Sequence, residues 1–413
     1  MAARGCSVIY SSIRTFKKDL ALHQPEWLVL VPRVLEKIAA GVQDKFAASA
    51  ATKTVAGICT KVGHATAVHR KRCKGLVVAA NDRPTSVWSK LKSRALLTVL
   101  SPLNAVGSKL VWSKVKDGFG GNLKTIISGG SALSGALEEF YETAGLTVLV
   151  GYGLTECSPL LSFRRSDNNL VYAGCAGAPA SETAIKIVDP SNKQKELPVG
   201  EPGLILGKGP QVMKGYYRNA EATAKVLDNG WFDTGDLGRI NPETGDLILT
   251  GRAKDTIVLS NGENIEPVPI EDSILGASPL IDQVMLTGQD GKSLLAVTVL
   301  NPSELGKQGF LDAAQAEELQ TAAEKLNDPK CTAEACDMYS QSLREAGASI
   351  RANKSLQTAM TKLFRSATSD FRKWEKVSDS YLTLEPFAMI NGQLTQSYKV
   401  KRAQVLERYQ DEL

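Results

Sequence analysis

The stretch "LKTIISGGSALSGALEEFYETAGLTVLVGYGLTE", Leu123 to Glu156, predicts a strand, a helix and a second strand. "LKTII" and "LTVLV" are short apolar runs typical of strands, and the helix "GALEEFYETA" between them ends at Gly145. Strand, helix and strand within about thirty residues form a parallel unit with a right-handed crossover. The polar turns "SGGSALS" and "GYGLTE" therefore follow the carboxyl ends of parallel strands, where open α/β sheets bind ligands.

Residue composition and spacing divide the rest of the chain into three regions. Residues 1–120 have apolar residues at helical spacing, whereas 170–250 consists of short strands and Gly/Pro/Asn turns that predict a β-rich subdomain. After "GRAKDTIVLSNGENIEP", two short strands precede a polar Ala/Glu/Lys-rich stretch, about 303–376, that predicts helices. We predict an α/β fold in which a large domain, 1–250, is followed by a smaller α+β domain, 251–413.

Charge is distributed unevenly along a chain whose overall composition is ordinary for a globular protein. Residues 1–120 hold 20 Lys and Arg against 6 Asp and Glu, most densely at "HRKRCKG". Such a basic segment attracts anionic lipid, nucleic acid or an acidic protein. Its aromatic residues are sparse and do not interleave with the cations, so we do not expect nucleic-acid binding. No apolar run approaches the roughly 18 residues of a spanning helix, and the start lacks a signal-peptide core.

Cysteine usage gives little support to a metal site. The seven cysteines form no CxxC pair, and the chain has only three histidines. We expect reduced thiols, as in an intracellular compartment.

Residues with nucleotide-binding chemistry recur after the first polar turns. In "GYGLTE", Tyr152 can stack on a flat ring, Thr155 can donate to a phosphate oxygen, and Glu156 can hold a hard cation such as Mg²⁺. Taken alone, the hexapeptide is equally consistent with a tight turn that exposes a polar tip. "GWFDTGDLGRI" adds Asp236, which could accept both hydroxyls of a ribose. "LTGRAKD" adds Arg252 and Lys254, and "NGQLTQSYKVKR" adds Lys399; together these groups suit an adenosine phosphate.

In order and spacing, these segments resemble the adenylate-forming (AMP-binding) superfamily of acyl-CoA synthetases, firefly luciferases and peptide-synthetase adenylation domains. "GPQVMKGYYRNAEAT" and "NGQLTQSYKVKR" are most similar to the long-chain fatty acyl-CoA synthetase branch. "GRAKDTIVLSNGENIEP" and "YSSIRTFKKDLALHQPEWLVLVPRVLEKI" are similar to plant-plastid and cyanobacterial members that load acyl carrier protein. The resemblance runs from about residue 8 to 410 and implies the C-terminal half of the large adenylate-forming domain plus the small C-terminal domain.

The resemblance also implies a role for each matching residue. "GGSAL" would lie along the adenine, with Tyr152 stacked on its other side. Asp236 and Arg252 would hold the ribose hydroxyls, and Lys254 would be the hinge between the domains. The implied nucleotide-binding residues are Gly129, Gly130, Ser131, Ala132, Tyr152, Gly153, Thr155, Asp236, Arg252, Lys254 and Gly262.

The family reaction has two steps. A fatty-acid carboxylate attacks the α-phosphorus of Mg·ATP to give acyl-adenylate, and then the small domain rotates so that the thiol of CoA or acyl carrier protein attacks the anhydride. Lys399, Thr155 and Glu156 are the implied catalytic residues of the first step, with Glu156 as the Mg²⁺ ligand. Gly262 would face the first domain in the second step.

One family feature is not found in this sequence. The Ser/Thr/Gly-rich phosphate loop that precedes the other motifs has no counterpart, since "GKGPQVMKG" belongs to the later β-rich segment. We therefore expect this chain to be an incomplete representative of the family, whose activity on its own is doubtful. The alternative is a catalytically silent nucleotide-binding or interaction protein that retains an AMP pocket.

Partners and location follow from the same reasoning. We expect a long-chain fatty acid as substrate and either an acidic acyl carrier protein or an anionic membrane surface as the partner of the basic segment. The resemblance suggests a plastid or a membrane-associated cytoplasmic location.

Overall fold

The computed structural model describes residues 5–12, 15–47, 50–76, 86–131, 133–166, 174–328, 331–395 and 399–412. The chain forms two compact units, one comprising Met1–Thr234 with Gly238–Leu249 and the other Gly235–Leu237 with Thr250–Leu413. The predicted mobility of the C-terminal domain and the hinge at Lys254 stay predictions.

The first unit is built on a mixed sheet flanked by helices. Its helices are α1 Phe16–His23, α2 Pro32–Ala47, α3 Ala50–Lys74, α4 Val87–Gly107, α5 Ser113–Asp117, α6 Gly135–Thr143 and α7 Ala220–Val226. Its strands are β1 Trp27–Leu30, β2 Thr125–Ser128, β3 Thr147–Gly153, β4 Leu160–Phe163, β5 Cys175–Pro179, β6 Ala184–Asp189, β7 Asn192–Glu196, β8 Gly203–Lys208, β9 Leu227–Asp228, β10 Trp231–Ile240 and β11 Leu247–Arg252. The middle of β10, Gly235–Leu237, and the end of β11 from Thr250 belong to the second unit. The strand order is β1-β2-β3-β4-β5-β11-β10-β8-β6-β7, and β9 pairs with β10.

The predicted parallel unit is confirmed. β2 and β3 pair in parallel from Thr125 opposite Thr147, and α6 connects them. The Ser134 hydroxyl caps α6 by accepting a hydrogen bond from the Leu137 amide at 3.3 Å. Gly145 follows the helix with φ +77°, a conformation that favours glycine.

Two details of this region differ from the sequence prediction. β3 continues through Gly153, so the polar turn begins at Leu154 instead of at Gly151, because the glycines still pair with β4. β1, "WLVL", lies within the stretch expected to be mostly helical and pairs in parallel with β2. Four apolar residues are too few for a helix, and they extend the sheet instead.

A buried ion pair connects the helix α6 to the sheet. The Arg164 guanidinium, which is 3% exposed, contacts Glu138 of α6 and donates through Nε to the carbonyl of Cys175 at 2.7 Å. The contact joins α6, the residue after β4 and the start of β5, so it holds the β3–β4 hairpin against the helix layer. Removing one partner of such a pair leaves a buried charge uncompensated.

The second unit packs helices around a small three-stranded sheet. Its helices are α8 Pro267–Ala277, α9 Pro302–Lys307, α10 Ala313–Leu326, α11 Ala333–Arg351, α12 Lys354–Ala367 and α13 Arg402–Tyr409. Its strands are β12 Ile257–Val258, β13 Asn264–Ile265, β14 Ile281–Thr287, β15 Leu294–Leu300 and β16 Val377–Thr383. β15 pairs antiparallel with β14 and in parallel with β16. The helices predicted over 303–376 are confirmed.

The expectation about thiols is wrong for one pair. Cys331 and Cys336, the two cysteines nearest in sequence, form a disulfide at the start of α11. Cys157 and Cys175 are free and buried in the first unit.

Candidate functional site

A tight hairpin presents the residues predicted to bind phosphate and Mg²⁺. Gly153 of β3 pairs with Leu160 of β4, and a Cβ at Gly153 would lie 1.7 Å from the carbonyl oxygen of Pro159. Only glycine permits that approach. The chain then makes one helical turn, Thr155–Cys157, which exposes Thr155 and leaves Glu156 half-buried.

Tyr216 orients the Glu156 carboxylate. The Tyr216 hydroxyl donates to Oε1 of Glu156 at 2.9 Å, and the Met213 amide donates to the backbone carbonyl of Glu156 at 2.7 Å. Desolvation, and then the neighbouring Glu156 carboxylate, raise the pKa of Tyr216 above its ordinary value, so the phenol stays protonated and remains a donor. Tyr216 was not predicted as a site residue, although it lies within "GPQVMKGYYRNAEAT", which carried part of the resemblance.

The glycine-rich turn after β2 lies beside β3. A Cβ at Gly129 would lie 3.3 Å from the Gly151 carbonyl, and Gly130 has φ +88°. Gly130 and Ser131 are exposed, whereas Ala132 lies outside the described residues. The two predicted turns, "SGGSALS" and "GYGLTE", therefore meet at the same edge of the sheet. Their role in adenine binding stays a prediction.

The side chain of Tyr152 is buried, so little of its ring is accessible for stacking on adenine. Its side chain is 8% exposed and belongs to an apolar cluster with Cys157, Leu161 and Phe232. Burial, and then the adjacent Glu156, raise the pKa of the Cys157 thiol to about 11, so it stays protonated at neutral pH. Tyr152 thus anchors the hairpin in the core, and its stacking on adenine stays a prediction.

The predicted ribose-binding residues contact each other in the second unit. Nε of Arg252 donates to Oδ1 of Asp236 at 2.8 Å; the Asp236 side chain is 13% exposed and the Arg252 side chain 48% exposed. The Ala253 amide also donates to the Gly235 carbonyl at 3.0 Å, which holds the two segments side by side. Lys254 is exposed in the turn that follows.

The side chain of Glu266 lies beside the turn that follows Lys254 and is only partly hydrogen-bonded. Oε1 of Glu266 accepts from the Thr256 hydroxyl at 2.8 Å, whereas its Oε2 is buried and has no partner among the described residues. A Cβ at Gly251 would lie 1.8 Å from that Oε2, so a larger residue there would displace the carboxylate. Desolvation raises the pKa of Glu266, with a smaller contribution from Asp255. Sequence analysis did not predict this feature.

Gly262 and Lys399 lie on two hairpins of the same unit. Gly262, with φ +83°, closes the turn between β12 and β13, where its amide donates to the Leu259 carbonyl at 2.8 Å. Lys399 is exposed; its amide donates to the Thr395 hydroxyl at 3.0 Å, and its carbonyl accepts from the Thr395 amide at 2.9 Å. Residues 396–398 lie outside the described part of the chain.

No metal cage is present in the described ranges, where no group of three or more His, Cys, Asp or Glu could hold an ion. Glu156 therefore offers a single carboxylate. This is compatible with Mg²⁺, which proteins often bind through one or two carboxylates together with substrate phosphates.

Comparison with known families agrees with this geometry. The sequence model of the AMP-binding enzyme family matches residues 1–217, and that of the AMP-binding enzyme C-terminal domain matches residues 254–376. The chain belongs to the AMP-binding enzyme family. The resemblance predicted from the sequence is thus confirmed.

Curated relatives of this AMP-binding chain include plant proteins. It is 34% identical to "Probable acyl-activating enzyme 16, chloroplastic" of Arabidopsis thaliana, covering 98% of this chain and 53% of that protein. It is 33% identical to "Long-chain-fatty-acid--[acyl-carrier-protein] ligase AEE15, chloroplastic" of the same plant, covering 99% of this chain and 52% of that protein. The chain therefore spans about half the length of the curated relatives it matches.

Solved structures show the same fold. The adenylation domain of a carboxylate reductase from Mycobacterium chelonae aligns with a TM-score of 0.61 at 19% identity, covering 98% of this chain and 48% of that one. The adenylation and carrier didomain of a carboxylic acid reductase from Segniliparus rugosus, solved with AMP, aligns with a TM-score of 0.57 at 22% identity, covering 98% of this chain and 43% of that one. The AMP-binding chain thus has the adenylate-forming α/β fold, as predicted.

Proposed function

We propose that this chain takes part in the ATP-dependent activation of a long-chain fatty acid to acyl-adenylate and its transfer to the thiol of CoA or acyl carrier protein. The observation that carries the proposal is the Asp236–Arg252 pair, in an AMP-binding chain whose relatives include a ligase named for long-chain fatty acids. Arg252 donates through Nε to one carboxylate oxygen of Asp236, and a carboxylate can also accept hydrogen bonds from ribose hydroxyls.

The remaining residues would bind and neutralise charge in the first step. A fatty-acid carboxylate is already ionised near neutral pH, so positioning matters more than general-base catalysis. Thr155 would donate to a phosphate oxygen. Lys399 would offset the repulsion between the carboxylate and the α-phosphate, since a cation near two anions lowers their mutual energy. Lys254 would serve as hinge, and Gly262 would act in the thioester step.

Glu156 is the residue that would hold Mg²⁺. Tyr216 already donates to its Oε1, which fixes the direction of the carboxylate. When bound, Mg²⁺ neutralises phosphate charge during adenylation. Because relatives named chloroplastic match almost the whole chain, we also propose a plastid location.

Calorimetric titration of the 413-residue chain with AMP tests the proposal. Asp236→Asn should weaken AMP binding by about tenfold or more, because a hydrogen bond to a charged group contributes about 1.5–3 kcal/mol. Asp337→Asn, the same change on the exposed surface of α11, is the matched control. Equal AMP affinity in all three proteins would contradict the assignment.

Fatty-acid-dependent pyrophosphate release should be measured beside the titration. Release that requires the fatty acid supports acyl activation. AMP binding without any release would instead favour the catalytically silent nucleotide-binding protein for this chain.

A further inference from the structure

The helices α3 and α4 pack against each other along a side of α4 that mixes polar, small and apolar residues. Nδ1 of His69 and Oγ of Ser93 lie 3.0 Å apart, and Cys73 Sγ lies 3.8 Å from the Lys90 carbonyl. At the other end, a Cβ at Gly107 would lie 3.2 Å from Cys59 Sγ. The helices are therefore antiparallel, and the side of α4 that faces α3 carries Lys90, Ser93, Asn104 and Gly107, with half-buried Leu97 and Leu100 at the helical positions between Ser93 and Asn104.

The opposite side of α4 is apolar and exposed. The fractional exposure is 82% for Trp88, 62% for Val99, 54% for Leu103 and 57% for Val106. Spacings of three and four residues place these side chains on one side of the helix. We call this side the α4 outer face; it consists of Trp88, Leu91, Ala95, Val99, Leu103 and Val106. Ordinary surface helices expose a polar side to solvent, whereas α4 exposes an apolar one.

The charged residues of α3 and α4 are all Lys and Arg. Together, Ala50–Lys74 and Val87–Gly107 contain nine Lys and Arg and no Asp or Glu. Most of these cations lie where α3 ends and α4 begins, at Arg70, Lys71, Arg72, Lys74, Lys90, Lys92 and Arg94. The part of α4 that follows these cations, Ala95–Val106, contains no charged residue.

We propose that the α4 outer face docks on an anionic lipid bilayer, with α4 lying in the plane of the interface. A helix that carries an apolar face, a tryptophan and flanking cations has the properties of an interfacial helix. The uncharged segment is about 18 Å long at 1.5 Å per residue, which is too short for a hydrocarbon core of about 30 Å. Among the described residues, no helix is long and apolar enough to cross a membrane.

Two other occupants fit the surface less well. An acidic protein would pair with the cations, but it would leave the apolar side chains of the outer face without a partner. A second copy of this chain would bring the same cations against each other, and like charges across an interface are unfavourable. An anionic bilayer matches both features, since its headgroups attract Lys and Arg and its acyl boundary accepts apolar side chains.

Vesicle co-sedimentation of the 413-residue chain tests the proposal. The chain should bind phosphatidylcholine vesicles that contain phosphatidylglycerol more tightly than pure phosphatidylcholine vesicles, and added salt should reduce the difference. Val99→Gln with Leu103→Gln should lower binding to both vesicle types about tenfold or more, because the apolar contact is lost. Lys92→Gln with Arg94→Gln should lower binding about tenfold only where phosphatidylglycerol is present.

Matched variants control for general surface effects. Val199→Gln with Met338→Gln changes two apolar residues elsewhere, exposed by 66% and 60%, and Lys362→Gln with Arg365→Gln changes two cations of α12. Both should leave vesicle binding within about twofold. Because every substituted side chain is solvent-facing, circular dichroism melting curves should be unchanged.

Several results would overturn the proposal. Vesicle binding that survives Val99→Gln with Leu103→Gln would show that the outer face is not the docking surface. A dimer that this variant dissociates, without vesicle binding by the original chain, would assign the face to a second copy. Binding to polyglutamate but not to vesicles would assign the basic helices to an acidic protein.

Discussion

Arg402 and Glu271 form a buried ion pair that connects the first residue of α13 to α8. Nη2 of Arg402 donates to both carboxylate oxygens of Glu271, at 2.8 and 2.7 Å, and the Leu286 amide donates to Oε1 of Glu271 at 2.7 Å. The Arg402 side chain is 18% exposed and the Glu271 side chain 11%. Because Arg402 follows Lys399 by three residues, the pair fixes the C-terminal side of the Lys399 hairpin to α8 and β14.

Breaking this pair should destabilise the second unit. We expect Glu271→Ala and Arg402→Ala each to lower the free energy of unfolding by about 3–5 kcal/mol, because each leaves its partner's charge buried. Urea unfolding of both single variants and the double variant gives the coupling energy, which should exceed about 1.5 kcal/mol. The exposed pair Lys307–Glu304 is the control and should couple by less than about 0.5 kcal/mol. Equal coupling for both pairs would contradict the assignment.

Glu156 and Tyr216 should act together in Mg²⁺-dependent adenylation. In a full-length form of the protein, Glu156→Ala should abolish acyl-adenylate formation from ATP and leave the melting temperature unchanged, because the carboxylate is only half-buried. Tyr216→Phe removes the hydroxyl that orients Glu156 and should lower the rate about tenfold at low Mg²⁺. Tyr217→Phe, at an 86% exposed neighbour, should have no effect. Undiminished adenylation by Glu156→Ala would refute its role as metal ligand.

Lys399 should be needed for one half-reaction only. The proposed domain rotation removes it from the site before thioester formation, so Lys399→Ala should block adenylation from ATP yet still convert supplied acyl-adenylate to thioester. The two half-reactions are measured separately, by pyrophosphate release and by thioester formation. Lys401→Ala, at an exposed lysine two residues later, is the control. Loss of both half-reactions to the same extent would contradict the rotation.

Glu266 should make stability depend on pH. Its pKa is raised in the folded state, so the folded protein binds more protons than the unfolded protein, and stability falls as pH rises through the unfolded value of 4.5 toward the folded one. Glu266→Gln abolishes the buried charge and should raise the melting temperature at pH 7, by about 2–4 °C for each kcal/mol gained. The gain should vanish below the unfolded pKa, where both states are protonated.

The control for this prediction is Glu407→Gln, at an exposed position of α13. Differential scanning calorimetry of both variants across the pH range gives the comparison. A gain from Glu266→Gln that is the same at acidic and neutral pH would rule out the buried charge as its cause.

The local sequence pattern was sufficient to predict much of the fold. The alternation of short apolar runs with a helix that ends at Gly145 predicted β2, α6 and β3, and an Ala/Glu/Lys-rich composition predicted the helices after residue 303. β1 was missed because four apolar residues carry no periodicity of their own, and only pairing with β2 makes them a strand. The strand status of Gly151 to Gly153 likewise depends on pairing with β4.

The sequence by itself determined the family, the parallel unit and the chemical character of the turns, because these depend on residue type and on spacing along a few turns of chain. Only the tertiary structure decided that Tyr216 contacts Glu156, that Arg402 contacts Glu271, and that α4 leaves an apolar side exposed. Those contacts join residues that are distant in sequence, and which distant residues meet depends on how whole elements pack. Periodicity shows that a helix has an apolar side, but only its packing against α3 shows which side is covered.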